Sequence, residues 1–473
     1  VKILSVELNE VEHKLSSATP SIDDTSNVFT VIIGNNGTGK SRLLNNLTLS
    51  FQSACGNKFQ PNNVPRRYSK VVTLTDRKKI YSLYTNKKSK SKITCLGDVR
   101  RKRASIKRLG GGLIAAATSP FDKYPLESNQ HKGNLKTRYH YIGLKESSES
   151  YSTDNQLKLF ARAVIESGED SRFSELFRLL GYSETIEIEF EEQFSRLLSY
   201  EDATLAKMIS NDERMFFEMA RANNAYFNQM IRTSIIKGEH IKAKSLFQKN
   251  NLNVFKKIYN SDKNSDERQE YIKALDTGFS KVKKVTLQRI NGSGYVDFSD
   301  ASSGERCMLL MILSIASVIS DDSVICIDEP EISLHPEWQI GFIPLLKSSF
   351  SKYKNCHFII ATHSPHIVSQ VEDDDSYILR MDDNQLFQAK EYHQKSADFQ
   401  LAMLFRTPGF KNEYLISECL DVLSRLSSLD EEDDDLKSRM TALVSLKSKL
   451  DKNDPVFSLI STVEKARTAI YND

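Results

Sequence analysis

The sequence predicts an α/β fold: a mixed sheet with flanking helices, carrying a helical insertion and ending in a helical C-terminal tail. Three observations lead to it. The apolar run VFTVII (28–33) enters the glycine-rich segment GNNGTGKS and then SRLLNNLTLSF, whose apolar residues recur with helical spacing. Short apolar runs return far downstream at SVICID (323–328) and HFIIAT (357–362), as strands buried on both faces require. Between 154 and 281 the chain instead carries long charged stretches of helical character.

Taken in order, residues 1–33 alternate and then become wholly apolar, which predicts an edge strand followed by a buried one. KVVTLT, DRKKIYSLYT and KSKITCLG predict three short strands separated by basic turns, and LIAAATS (113–119) predicts a further buried strand. These elements make up an N-terminal core part, 1–153. DNQLKLFARAVIES, the stretch from EDATLAKM to RTSII, and SDERQEYIKALDTGF predict the helices of an insertion, 154–281. VKKVTLQRINGSGYVDF reads as two strands around an Asn-Gly-Ser-Gly turn. With the buried helix at 304–320 and the two later strands it forms a second core part, 282–395. SADFQLAMLF, EYLISECLDVLSRL and the pieces after the acidic block at 430–435 predict a helical region, 396–473.

A chain of 473 residues with 39% hydrophobic content can bury a sizeable core. Its longest apolar run, Cys307–Ile319, is too short and too interrupted by serine to cross a hydrocarbon core of ~30 Å, so no membrane span is predicted. The opening VKILSVELNEVEHKL lacks the pattern of a signal peptide, which predicts a cytoplasmic protein. Six cysteines form no CxxC pair, and free buried thiols are expected rather than disulfides or a zinc site. The net charge of +3 hides an asymmetry: residues 66–108 hold sixteen Lys or Arg against only Asp76 and Asp98. With Tyr68, Tyr81 and Tyr84 interleaved, this segment is a candidate for nucleic acid, the alternative being a solvated hairpin surface.

In GNNGTGKS, Gly34, Gly37 and Gly39 let the backbone turn its N–H groups toward phosphates at a helix N-terminus. Asn35, Asn36, Thr38 and Arg42 complete the contact set, Lys40 would neutralise the β and γ phosphates, and the Ser41 hydroxyl would ligate Mg²⁺. SVICIDEPE then supplies two carboxylates after a buried strand: Asp328 for the metal, and Glu329 to accept a proton from attacking water. DASSGERCMLLMIL puts Ser303, Gly304 and Glu305 at the start of an apolar helix. That segment is either a second phosphate-binding helix terminus or simply an N-terminal capping box.

GNNGTGKS, SSGER, ICIDEPE and ATHSPH, in that order, resemble the Walker A, signature, Walker B and H-loop motifs of an ABC-type ATPase head. More narrowly, DEPEISLHPEWQ and THSPHIV resemble the OLD, RecF and AAA15/AAA21-like branch, which includes antiphage-defence ATPase subunits such as Septu PtuA and PARIS AriA. The resemblance implies ATP and Mg²⁺ as cofactors and a homodimer or higher homo-oligomer in which Ser303 and Gly304 of one head meet the γ-phosphate bound by another. It also implies that His363 contacts that phosphate and the attacking water. Such heads carry a metal-sensing Gln that has no obvious equivalent here; Ser119 or Asp122 stands nearest in context.

The helices after His363 show no acid pattern of a TOPRIM domain and no HNH histidine cluster. A separate nuclease effector of either type is therefore expected, held by an ATPase acting as sensor or scaffold. The alternative is a RecF-like maintenance ATPase working directly on DNA. A transporter head is disfavoured by the large insertion and the basic hairpins.

Overall fold

VFTVII forms β3 (Val28–Ile33) and is buried at every position, because parallel strands flank it on both edges and helices cover both faces. The computed structural model describes residues 1–17, 25–54, 69–76, 79–85, 91–95, 111–119, 122–125, 139–143, 153–167, 173–192, 254–258, 275, 280–290, 294–428 and 434–471. Around β3 lies a seven-stranded sheet. Its order is β16 (Gln385–Gln388), β15 (Ser376–Arg380), β3, β14 (His357–Ala361), β13 (Val324–Asp328), β7 (Leu113–Ala117) and β8 (Tyr139–Ile142). All pairings are parallel except that of β16, so the sheet is mixed, as the sequence predicts.

The alternation of each strand divides the interior into two apolar layers. Ile325 and Ile327 face helices α4 (Ser303–Val318) and α5 (Pro336–Phe350) through Ile312, Phe342 and Leu346. Val324 and Cys326 face the opposite side, where Leu43, Leu44 and Leu47 of α1 (Lys40–Ala54) pack. Phe29 stacks on Phe358 at 4.8 Å between centroids, closing the first layer near the strand starts.

A five-stranded antiparallel sheet covers α1: β2 (Val11–Lys14), β1 (Lys2–Leu8), β4 (Ser69–Asp76), β5 (Lys79–Thr85) and β6 (Ser91–Cys95), in that order. The expected edge strand β1 is thus an interior one, since β2 and β4 occupy its two edges. In register, Lys70, Tyr84 and Lys92 stand in one row across three strands of the basic segment; residues 66–68, 77–78, 86–90 and 96–108 of it lie outside the described residues.

The interval 154–281 departs from the expected helical insertion. α2 (Thr153–Ser167) and α3 (Ser174–Leu179) are present, but they are followed by β9 (Tyr182–Glu192) and β10 (Val254–Ile258). With β11 (Ser280–Arg289) and β12 (Tyr295–Asp297) these strands build a four-stranded antiparallel sheet. Ile186, Ile188 and Phe190 of β9 point inward against Val282, Val285 and Leu287 of β11, an alternation that only a strand can bury. The expected helices at 201–236 lie outside the described residues, as does the one at 265–279 except for Leu275.

The C-terminal region is helical: α6 (Glu413–Ser428), α7 (Asp434–Leu446) and α8 (Pro455–Tyr471) share a separate apolar cluster through Leu415, Val422, Met440, Leu443 and Ile460. The expected helix at SADFQLAMLF is one short α-turn, Ala397–Phe399, continued by a π-helical turn, Gln400–Leu404. The four cysteines with described side chains, Cys307, Cys326, Cys356 and Cys419, are free thiols. No helix among the described residues is long and apolar enough to cross a membrane.

His357 pins the two larger sheets together. Its Nδ1 accepts from Ile3 N–H at 3.0 Å while Nε2 lies 2.9 Å from the Thr30 hydroxyl, all fully buried. Burial, aided by the positive charge of Lys2, pushes its pKa down from 6.5 to about 3. The imidazole is neutral when folded but takes up a proton below pH ~6.5 when unfolded, so this stabilisation is lost as pH falls. Between pH 7 and 5 the loss amounts to about 2 kcal/mol. Urea unfolding of parent and His357→Gln should therefore give a stability difference that shrinks by about that amount over this range.

Candidate functional site

Parallel register collects the chemistry at one edge. Asp328 stands beside Ala361 and Ala117, Ala361 beside Ile32, and Arg380 beside Ile33. Five strands thus release the loops beginning at Gly34, Thr118, Glu329, Thr362 and Met381 on the same side, the carboxyl side where α/β sheets bind ligands.

The glycine-rich loop passes from β3 into α1 with φ of 152°, 85° and 107° at Gly34, Gly37 and Gly39. A side chain at Gly34 would meet Thr38 Oγ1 at 2.9 Å and Asp382 Oδ2 at 3.1 Å. The loop is braced internally, since Thr38 N–H and its hydroxyl both donate to the Asn35 carbonyl, at 3.3 and 2.9 Å. Lys40 is buried, and its Nζ donates to the carbonyls of Gly34 at 2.9 Å and Asn35 at 3.4 Å. Burial lowers its pKa, opposed by Glu329, Asp328, Asp382 and Glu331. Asn36 and Arg42 are exposed at the loop's rim.

Ser41 and Asp328 meet here although 287 positions apart: the hydroxyl donates to Oδ1 at 3.2 Å. Burial pushes the Asp328 carboxyl up to about 7, helped by Glu329, Asp122 and Glu331 and opposed by the Ser41 hydroxyl. A hydroxyl and a buried carboxylate, both hard oxygen donors, suit Mg²⁺, which would offset the cost of that buried charge. Among the described residues no cluster of three or more His, Cys, Asp or Glu could hold a metal. The ion would therefore take its remaining ligands from phosphate and water.

Glu329 is held by its backbone. Its N–H donates to Ala361 O at 2.9 Å, its carbonyl accepts from Thr118 Oγ1 at 2.8 Å, and its φ is 49°. Its charge acts on both Lys40 and His363. His363 has a pKa lowered by burial and then by Lys40, so its ring is neutral near pH 7 and can both donate and accept. The His363 N–H donates to Glu331 Oε1 at 2.5 Å, which ties the turn after β13 to the turn after β14. Burial raises the pKa of Glu331, whose Oε2 is buried without a partner.

At the start of α4 the capping alternative is realised. The Ser302 hydroxyl accepts from Glu305 N–H at 3.3 Å and Glu305 Oε2 accepts from Ser302 N–H at 2.7 Å. Glu305 Oε1 takes an ion pair from Arg289 at 3.1 Å, and Arg289 lies 4.2 Å over the Tyr182 ring. Glu305, expected among the nucleotide contacts, therefore has both oxygens committed inside the fold. Gly304 packs against the loop after β13, where a Cβ would come within 2.4 Å of the Ser333 carbonyl. Ser303 is exposed at the helix terminus and remains available to a ligand.

Asp122 is also occupied: Oδ1 accepts from Tyr124 N–H at 2.8 Å and Oδ2 from the Tyr141 hydroxyl at 2.6 Å. Ser119, just past β7, stays half-exposed beside the site. Sequence reasoning missed Glu331, Arg289 and Asp382. Glu331 had a signal in DEPE itself, whereas Asp382 bonds Asn35 from 347 positions away and left none.

The chain is similar to several known proteins. Over 118 residues the chain is 32% identical to the Retron Ec83 probable ATPase of Escherichia coli, covering 22% of this chain and 21% of that protein. Over 147 residues it is 27% identical to the Retron Vc95 probable ATPase of Vibrio cholerae serotype O1 biovar El Tor, covering 27% of each. The matched stretches thus span only about a fifth to a quarter of those relatives. Among solved structures, the SMC head domain from Thermotoga maritima aligns over 80% of this chain and 95% of its own, at 10% identity and a TM-score of 0.34. The AAA ATPase domain family matches residues 14–368, a span that includes all four motifs, and the chain belongs to that family.

Proposed function

We infer that this chain hydrolyses ATP as the sensor or scaffold subunit of an antiphage defence complex, controlling a separate nuclease through ATP-dependent association of its heads. The observation that carries the ATPase reading is the Ser41–Asp328 contact beneath the loop, with Glu329 and His363 on the same edge. Lys40 would leave the loop carbonyls for the β and γ phosphates, and Mg²⁺ on Ser41 and Asp328 would polarise them. Glu329 would take the proton of the attacking water while neutral His363 orients it. The exposed Ser303 hydroxyl and the N-terminal dipole of α4 then fit a phosphate presented by another head. The defence role is supported by the partial similarity to two retron ATPases and by the motif resemblance to the Septu and PARIS subunits. The basic row of β4–β6 fits a nucleic-acid trigger.

The test is phage plating on cells that express the chain with its genomic neighbours. Parent cells should be protected, Lys40→Ala and Ser303→Arg should each lose protection, and co-expression of the two variants should restore it. Restoration requires a site shared between subunits. If the two variants fail to complement, head association is wrong; if the parent does not protect, the defence role is wrong.

A further inference from the structure

We propose that Asp382 is a positioning residue for the phosphate loop, and that the turn carrying it transmits the loop's nucleotide state to the C-terminal helical region. This rests on the loop binding ATP and on no partner. The first part follows from strand order. β15 runs parallel to β3, so the turn after β15 emerges against the loop after β3. There the Asp382 carboxylate accepts from Asn35 N–H at 3.2 Å and from Asn35 Nδ2 at 2.7 Å. Gly34 makes this approach possible, because a Cβ there would lie 3.1 Å from Asp382 Oδ2. A carboxylate beside a loop that receives phosphates is electrostatically unfavourable for anion binding, so its place has to be explained by what it holds.

The same turn reaches the other way. Arg380, buried, grips Asp383 through Nε at 2.9 Å and Nη2 at 2.8 Å. Its Nη1 donates to the carbonyls of Met403 at 3.0 Å and Leu404 at 3.4 Å, and Arg406 reaches Asp383 at 3.4 Å. Those carbonyls belong to the π-turn Gln400–Leu404, a rare geometry that concentrates at functional sites. Arg406, just beyond it, has a left-handed backbone with φ of 50°. Inside the π-turn Gln400 is fully buried; its Nε2 donates to Tyr392 O at 2.6 Å, but its Oε1 has no partner. The unsatisfied acceptor, the π-turn and the left-handed Arg406 together make this the segment where a rearrangement is expected. Residues 380–383 therefore bond the phosphate loop on one side and the entry to the C-terminal helices on the other. Ordering of Asn35 around a triphosphate would shift both ends together. The family match stops at residue 368, before any of these groups except the loop itself.

The experiment is hydrogen–deuterium exchange over 399–406 in the full chain, with and without a saturating non-hydrolysable ATP analogue, alongside steady-state ATP turnover. The parent should show a nucleotide-dependent change in exchange there. Asp382→Ala, an exposed change, should raise KM for ATP on the order of fivefold with kcat little altered, and should lose the exchange change at saturation. Asp382→Asn keeps an oxygen acceptor and should restore both. Persistence of the change in Asp382→Ala, its absence from a parent that binds the analogue, or equal behaviour of the two variants overturns the inference and leaves the phosphate loop intact. A parent that does not bind the analogue overturns the phosphate-loop reading itself.

Discussion

Glu329→Gln should bind ATP as the parent does and hydrolyse it about 10²–10⁴-fold more slowly, the range spanned by loss of a general base. The structure gives the reason that binding survives. The triphosphate contacts expected of Gly37, Gly39, Lys40 and Ser41 belong to another loop, and the Glu329 peptide is fixed by Ala361 O and Thr118 Oγ1 whatever side chain it bears. Glutamine is isosteric, so the left-handed backbone at φ 49° is equally strained in both proteins. What disappears is a negative charge beside Lys40 and His363 that can accept a proton. Single-turnover hydrolysis with radiolabelled ATP, paired with equilibrium binding, separates the two effects. Turnover at the parent rate would remove Glu329 from the chemistry.

Asp328→Asn is expected to have two large effects of opposite sign. Turnover should fall at least as far as for Glu329→Gln, because the proposed Mg²⁺ would lose the buried carboxylate assigned to it while the Ser41 hydroxyl keeps an acceptor. The nucleotide-free protein should nevertheless become more stable. The folded carboxyl titrates near 7 whereas the unfolded one titrates near 3.8, so folding is penalised progressively as pH rises through that window and fully above it. Removing the charge relieves a penalty of roughly 4 kcal/mol at pH 8, and the gain fades toward pH 4. Thermal unfolding of both proteins at pH 8 and pH 5 without nucleotide checks this: the rise in Tm should be larger at pH 8. Saturating Mg-ATP should reverse the order, since only the parent gains from the ion. An equal shift at both pH values would mean that Asp328 is an ordinary ionised surface acid.

His357 and Asp328 pull in opposite directions on acidification, one losing stability and the other regaining it. A flat pH profile in the parent would therefore hide two large contributions, which separate only when each variant is compared with the parent.

The sheet and its edge were legible because each rests on local sequence. A β-run, three glycines and Lys-Ser fix a strand, a turn and a helix start without tertiary help, and SVICIDE places its acids by strand length alone. The insertion was less legible. TIEIEF alternates as strictly as any strand here, but its glutamates resemble the charged sequence on either side, and their cross-strand partners lie about a hundred residues away in β11. At α4 the sequence allowed a cap or a ligand. The cap with Ser302 takes one Glu305 oxygen locally, and Arg289, stacked on Tyr182 in that same sheet, commits the other to the fold. Asp382 and the Glu331–His363 tie depend on strand order, which no local pattern encodes.

The left-handed backbone at Glu329 has a consequence for lineages that carry this chain. Glycine relieves that conformation, and a glutamate codon becomes a glycine codon by one base change. Its neighbour Asp328 also gains stability when neutralised. Both acids proposed for the chemistry are thus held at a cost to the fold, one in its backbone and the other in its buried charge, so a chain released from that chemistry would lose nothing in stability by changing either.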